Sequence, residues 1–150
     1  MKIRNYQPHD FEAVIRLIQL NTPTYFAAEE EADLRHYLHH ELDLYFVAEE
    51  ADQVVGAGGI NRGFDEGKTA RLSWDFVDPE HQSQGIGGAI TQHRLGLLRQ
   101  EPGVEKVVVR TTQLVYRFYE KQGLTLRYQE KDYWAPGFDL YLLELSLTKS

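Results

Sequence analysis

Apolar side chains recur along this chain with two different periods, and the switches between them mark out its elements. Residues 2–6 alternate apolar and polar, as in a short strand whose two faces meet different surroundings. Pro8 and Asp10 then suit a helix start, because proline needs no N–H there and an acid favours the positive end of the helix dipole. From Phe11 onward Val14, Ile15, Leu17 and Ile18 follow helical spacing until Asn21-Thr22-Pro23 interrupts it. A second helix with a weaker stripe is expected over 29–40. Segments 44–49 and 53–61 read as strands joined by the turn-like Glu50-Ala51-Asp52. Residues 69–77 alternate as a third strand, so an antiparallel meander is predicted.

Beyond Pro79 the helical period returns. A glycine-rich turn leads into a stripe of Ile90, Leu95, Leu97 and Leu98 that ends near Pro102-Gly103. Residues 104–111 read as a buried strand and 114–122 as a short helix stopped by Gly123, at a left-handed cap position. Strands over 124–130 and 140–147 close the chain. No internal repeat or linker breaks it up, and 150 residues fit one domain, expected over 1–150.

Composition narrows the function classes. A hydrophobic fraction of 42% suffices for one packed core, while the longest apolar runs, such as 140–143, fall far short of the roughly 20 residues a bilayer crossing needs. The start Met-Lys-Ile-Arg-Asn-Tyr lacks the apolar region of an export signal, so a cytoplasmic protein without membrane contact is expected. The absence of cysteine removes disulfides, thiolate metal sites and a thiol nucleophile. With 16 Lys and Arg against 23 Asp and Glu the net charge is −7, which disfavours nucleic acid and tilts the field toward cationic acceptors such as amines. His36 and His40 would share a helix face, but no third ligand accompanies them and no metal is expected.

Most of the chemical information lies in Phe76-Val77-Asp78-Pro79-Glu80-His81-Gln82-Ser83-Gln84-Gly85-Ile86-Gly87-Gly88-Ala89, which runs strand, turn, helix. Gly85, Gly87 and Gly88 lack a β-carbon, so backbone can approach a bulky anion while the first amides of the helix point at it. A Gly-x-Gly also marks ordinary tight turns. Neither the Gly-Lys-Ser/Thr of a Walker loop nor a dinucleotide fingerprint is present.

Gln82-x-x-Gly85-x-Gly87, preceded by Val77-Asp78-Pro79 and followed by Gly88-Ala89-Ile90, resembles the Q/R-x-x-G-x-G/A motif of the GNAT N-acetyltransferases. The resemblance implies an α/β (α+β) GNAT fold, with a central, mixed, mostly antiparallel sheet of six to seven strands flanked by about four helices. Its central strands would splay apart beside the glycine turn. It also implies acetyl-CoA as cosubstrate. The pyrophosphate would lie on Gln82, Gln84, Gly85, Ile86, Gly87, Gly88 and Ala89, and the pantetheine arm along the backbone of Phe76 and Val77.

Tyr116-Arg117-Phe118-Tyr119-Glu120-Lys121-Gln122-Gly123-Leu124 resembles the family's second signature, F-Y-x-x-x-G-F. By that resemblance Tyr119 is the general acid that protonates the departing thiolate, and an ordinary phenol pKa of roughly 10 suits a thiol. Thr112 stands where the family often has a cofactor-bonding Asn. A packed aromatic pair is the alternative reading of Phe118 and Tyr119.

Attack on a thioester needs a neutral amine, and Asp75, just ahead of the glycine turn, is the candidate general base. An exposed or salt-bridged strand acid is the other reading of that residue. Tyr25 and Phe26 in segment 21–26, and Tyr133 and Trp134 in segment 132–139, are expected on loops that cover core, contact a partner or line the acceptor pocket. The second segment also resembles its counterpart in bacterial ribosomal-protein alanine N-acetyltransferases. Expected acceptors are small amines, polyamines or peptide N-termini, attacking the acetyl group directly, and family habit suggests a homodimer. The alternative is a non-catalytic acetyl-CoA-binding or protein-interaction module of the same shape.

Overall fold

The computed structural model describes residues 1–147. Its frame is a seven-stranded mixed sheet in the order β1-β2-β3-β4-β5-β7-β6. The strands are β1 (Lys2–Asn5), β2 (Leu44–Glu50), β3 (Gln53–Phe64), β4 (Thr69–Val77), β5 (Lys106–Thr111), β6 (Thr125–Ala135) and β7 (Phe138–Ser146). Four α-helices flank them: α1 (Phe11–Leu20), α2 (Glu30–His40), α3 (Ile86–Gln100) and α4 (Tyr116–Lys121). This is the α/β architecture expected. Every neighbouring pair is antiparallel except β4 and β5.

Helix α1 forms where Pro8 opens a helical turn and the buried Asp10 carboxylate accepts the Gln7 amide at 2.8 Å. It buries Val14, Ile15, Leu17 and Ile18 with α2 against Tyr45, Val47 and Phe76 on one face of the sheet. The other face packs Leu95 and Leu98 of α3 and Tyr119 of α4 on Leu72, Val107, Val109 and Leu143. Closer to its start, α3 sets Ile86 and Ile90 on Ala48 and Val55. The buried positions thus drift around α3 along its length, and Leu97, expected on the stripe, is left exposed. A Cβ on Gly56 of β3 would stand 2.9 Å from Ile86 Cγ2, so this glycine sets how closely α3 approaches the sheet.

Two departures from alternation shape the centre. Parallel pairing of β4 with β5 covers only Thr69–Leu72 against Lys106–Val109, after which the strands separate. In the same stretch β4 slips its register with β3 between Ser73 and Phe76, and Trp74 has a positive φ of 47°. A bulky residue there costs about 1–3 kcal/mol. Tyr45 Oη, donating to the Trp74 carbonyl at 2.8 Å, helps hold it.

Segment 132–139 is not the open loop expected. It is the paired end of the β6–β7 hairpin, with Ala135 opposite Phe138. The Gly137 amide donates to Asp132 Oδ1 at 2.8 Å and the Asp132 amide to Asp139 Oδ1 at 2.9 Å, satisfying backbone groups that would otherwise need water. No described helix is long and apolar enough to cross a membrane.

Candidate active site

Where β4 and β5 part, a cleft of about 1030 Å³ opens between α3, α4 and the α1–α2 face. Three features of its wall fit a long, phosphorylated ligand. From Ser73 to Val77 the edge of β4 that faces β5 has no strand partner, although backbone amides and carbonyls in a sheet interior require one. At the head of α3, Gly85 is the N-cap at φ 81° and offers no side chain, so the amides of Ile86, Gly87 and Gly88 keep no intrahelical acceptor. A Cβ on Gly87 would sit 3.4 Å from the Phe118 ring and 3.6 Å from Val77 Cγ2, filling the wedge between α3, α4 and β4.

The expected residues divide accordingly. Phe76, Val77, Gln82, Gly85, Ile86, Gly87, Gly88 and Thr112 line the cleft. So do Tyr25, Phe26 and Trp134. Gln84, Ala89 and Tyr133 do not. Ala89 donates its amide to Gly85 O at 3.0 Å, the first rung of the helix, and is occupied for that reason. Thr112 Oγ1 accepts the Leu114 amide at 3.2 Å, and the Thr112 carbonyl accepts Val115 and Tyr116, so this residue organises the start of α4. Phe26 stacks on Trp74 and meets Phe76 edge-on, extending the core toward the cleft.

Tyr119 and Asp75 come together: the buried phenol donates to Asp75 Oδ2. The pattern around Asp75 departs from that of an unengaged base. Arg94, fully buried on α3, donates to both its oxygens at 2.6 Å. The irregularity at Trp74 is the cause, since it turns Asp75 toward α3 while Ser73, two residues earlier, bonds Asn61 on the α2 side. The strand acid is thus ion-paired. Gly58 makes room for the pair, because a Cβ there would lie 3.1 Å from Arg94 Cζ and Asp75 Oδ1. Burial first, and then the Asp75 charge, push the Tyr119 phenol well above its ordinary pKa.

Sequence reading passed over Arg94 although a signal was present. It occupies the place midway between Ile90 and Leu98 on the buried side of α3, where an apolar residue would be ordinary. Among the described residues no group of three His, Cys, Asp or Glu is arranged to hold a metal ion.

A parallel β4–β5 pair that opens beside an uncapped glycine turn, with a tyrosine from the next helix at its apex, defines an acetyltransferase of the GNAT class. Residues 11–124 match the model of the acetyltransferase (GNAT) family. The chain belongs to that family and is an acyltransferase. It is 31% identical over 134 residues to an acetyltransferase of Sodalis glossinidius, covering 88% of this chain and 89% of that one. Among solved structures, an aminoglycoside 6'-N-acetyltransferase complexed with coenzyme A superposes with a TM-score of 0.80 at 14% identity, over 100% of this chain and 99% of the other. The ribosomal-protein-S18-alanine N-acetyltransferase of Escherichia coli gives 0.79 at 18%, over 99% and 95%. At these identities the likeness concerns the fold.

Proposed function

We propose that this chain transfers the acetyl group of acetyl-CoA to a primary amine by direct attack. The observation that carries the reading is the convergence, in one cleft, of the unpaired β4 edge, the uncapped amides of α3 and the Tyr119 hydroxyl. Acetyl-CoA supplies the activated thioester. The amides of Ile86, Gly87 and Gly88 hold its pyrophosphate, as a helix N-terminus favours, with Gln82 at the mouth. Main-chain groups of Phe76 and Val77 pair with the pantetheine arm in place of a missing strand, and an amide on this edge stabilises the oxyanion.

Tyr119 is held protonated by burial and supplies the proton that the leaving thiolate needs. Asp75, expected as the base, serves in this reading to aim the phenol, with Arg94 fixing the carboxylate from behind. The amine enters on the α1–α2 side, past Tyr25, Phe26 and Trp134, and the proton it loses on attack passes to water, from which Tyr119 is reprotonated after giving its own to the sulfur. No covalent enzyme intermediate is needed.

The test is thiol release from acetyl-CoA in the presence of small amines, amino acids, polyamines and peptides, with calorimetry of acetyl-CoA binding alongside. Acceptor-dependent release with binding supports the reading. A protein that retains no coenzyme A contradicts it, and one that binds it yet releases no thiol with any acceptor is a binding module.

A further inference from the structure

Two arginines on the acceptor side of the cleft hold their charge without a carboxylate. Arg71 of β4 pairs in register with Val108 of β5, and Arg110 follows two residues further along β5. Strand alternation sets these three side chains on the face opposite Leu72 and Val109, which pack beneath α3. Both arginines are half-buried and line the cleft. The Arg71 guanidinium lies 3.9 Å from the centre of the Phe64 ring. That of Arg110 lies 5.3 Å from the ring centres of Tyr133 and Trp134, and it donates to the Tyr133 hydroxyl.

Among the described residues no carboxylate comes within ion-pairing distance of either guanidinium. Arg4, Arg62 and Arg94, by contrast, each grip one or two acids. Burial and the field of Arg110 push Arg71 below its ordinary pKa. Asp65 acts on Arg71 from a distance, and its Oδ2 is taken by Thr69 Oγ1 at 2.6 Å. Two like charges side by side, partly out of water, are costly in a chain with 23 acids available to neutralise them. Stacking on rings also has a chemical consequence: it steadies the plane of a guanidinium and leaves its edge N–H groups, whose fork matches a carboxylate, directed elsewhere.

We propose that Arg71 and Arg110 form an anion subsite for the acceptor, whose class is therefore an amine that also bears a carboxylate, a free amino acid or short peptide. The assignment rests on the acetyl-transfer reading above and narrows it. Glu30, Asp33 and Glu41 line the same cleft from the α2 side and supply the opposite charge for the ammonium end. A polyamine would meet two uncompensated cations and is disfavoured by them.

The test compares free amino acids and dipeptides, their C-terminal amides, aminophosphonates, and the polyamines putrescine and spermidine in the thiol-release assay. The carboxylates are expected to exceed amides and polyamines in kcat/KM by about 10-fold or more. Arg71→Gln and Arg110→Gln are expected to raise KM for the carboxylates and erase that preference, while KM for acetyl-CoA stays at the wild-type value. Removing one of two repelling charges leaves the melting temperature of Arg71→Gln no lower than that of wild type. Equal use of amides or polyamines overturns the subsite, as does a pair of variants that slows every acceptor alike, and equal use of aminophosphonates overturns the carboxylate assignment. A second readout does not depend on turnover: calorimetry of N-acetyl amino acids with the wild-type protein, with and without coenzyme A. Binding that is lost in both variants supports the subsite, and absence of binding overturns it. Failure to bind acetyl-CoA counts instead against the transfer reading, so the two failures are told apart.

Discussion

Arg94 and Asp75 meet across the core from α3 and β4, two charge-assisted hydrogen bonds of 2.6 Å each, with the guanidinium wholly out of solvent. Arg94 also donates to the Gly59 carbonyl at 2.9 Å, so its fork is largely satisfied. Removing Asp75 leaves the guanidinium buried and uncompensated, whereas removing Arg94 leaves a part-exposed carboxylate at the cleft. Asp75→Leu is therefore expected to lower unfolding stability by about 3–5 kcal/mol, and the double variant Arg94→Met/Asp75→Leu to recover much of the loss. Urea unfolding of the two single variants and the double variant measures the coupling. Additive losses would mean that the two groups do not depend on one another.

Replacing the Tyr119 hydroxyl separates chemistry from binding. Tyr119→Phe is expected to reduce kcat by about 10²–10⁴-fold with acetyl-CoA affinity unchanged, the range for losing a positioned proton donor. Loss of a hydrogen bond to a carboxylate also costs about 1.5–3 kcal/mol of stability. The raised pKa adds a condition: the phenol remains protonated beyond its ordinary value of about 10, so kcat should show no alkaline limb from Tyr119 below that pH. Unchanged turnover in the variant would take the acid role away from this residue.

Gly87 lies in the wedge between α3, α4 and β4, among the amides proposed to hold the pyrophosphate. Gly87→Glu drives atoms into the space beside Phe118 and Val77 and adds a negative charge next to the amides proposed to hold the phosphates. Acetyl-CoA affinity is expected to fall by about 10-fold or more, equivalent to at least about 1.4 kcal/mol. Calorimetry that returns wild-type affinity would move the cofactor away from α3.

Asp10 supplies the clearest acid-sensitive contact. Its carboxylate takes two bonds of 2.9 Å from Arg4 and one of 2.8 Å from the Gln7 amide. The Arg4 bonds, opposed by burial, hold its pKa below the ordinary carboxylate value. A depressed folded pKa means that the stabilisation is complete above the unfolded value of about 3.9 and is lost as pH falls through the folded one. Asp10→Asn should therefore cost about 1.5–3 kcal/mol near neutrality. Its melting curve should converge with that of wild type in acid, and thermal melts against pH check this. A constant gap at all pH values would mean that the loss is steric.

The chain disclosed its framework where one physical requirement dominates. β4 was legible over 69–77 because its alternation is bounded by turns, and α1 because four apolar residues share one face. Gly85 and Gly123, with φ of 81° and 106°, announced themselves because few other residues tolerate that conformation. Arg94 stayed hidden since an arginine in a helix reads as solvent-facing until its acid is located, and that acid lies 19 residues away. Tyr133 and Trp134 read as loop aromatics because the bonds of Asp132 that extend the hairpin join positions no period connects. Arg71 and Arg110 could be found only after β4 and β5 were seen to run parallel, which sets them on one face.

The inserted backbone step at Trp74 works as a phase shifter. Upstream of it β4 addresses the α2 side through Ser73, and downstream the same parity of residues addresses the α3–α4 side through Asp75. Without that step, regular alternation of the same residues would set Asp75 on the α2 side with Ser73, out of reach of Tyr119. Which face of the sheet receives the acid is thus encoded in one irregular backbone step.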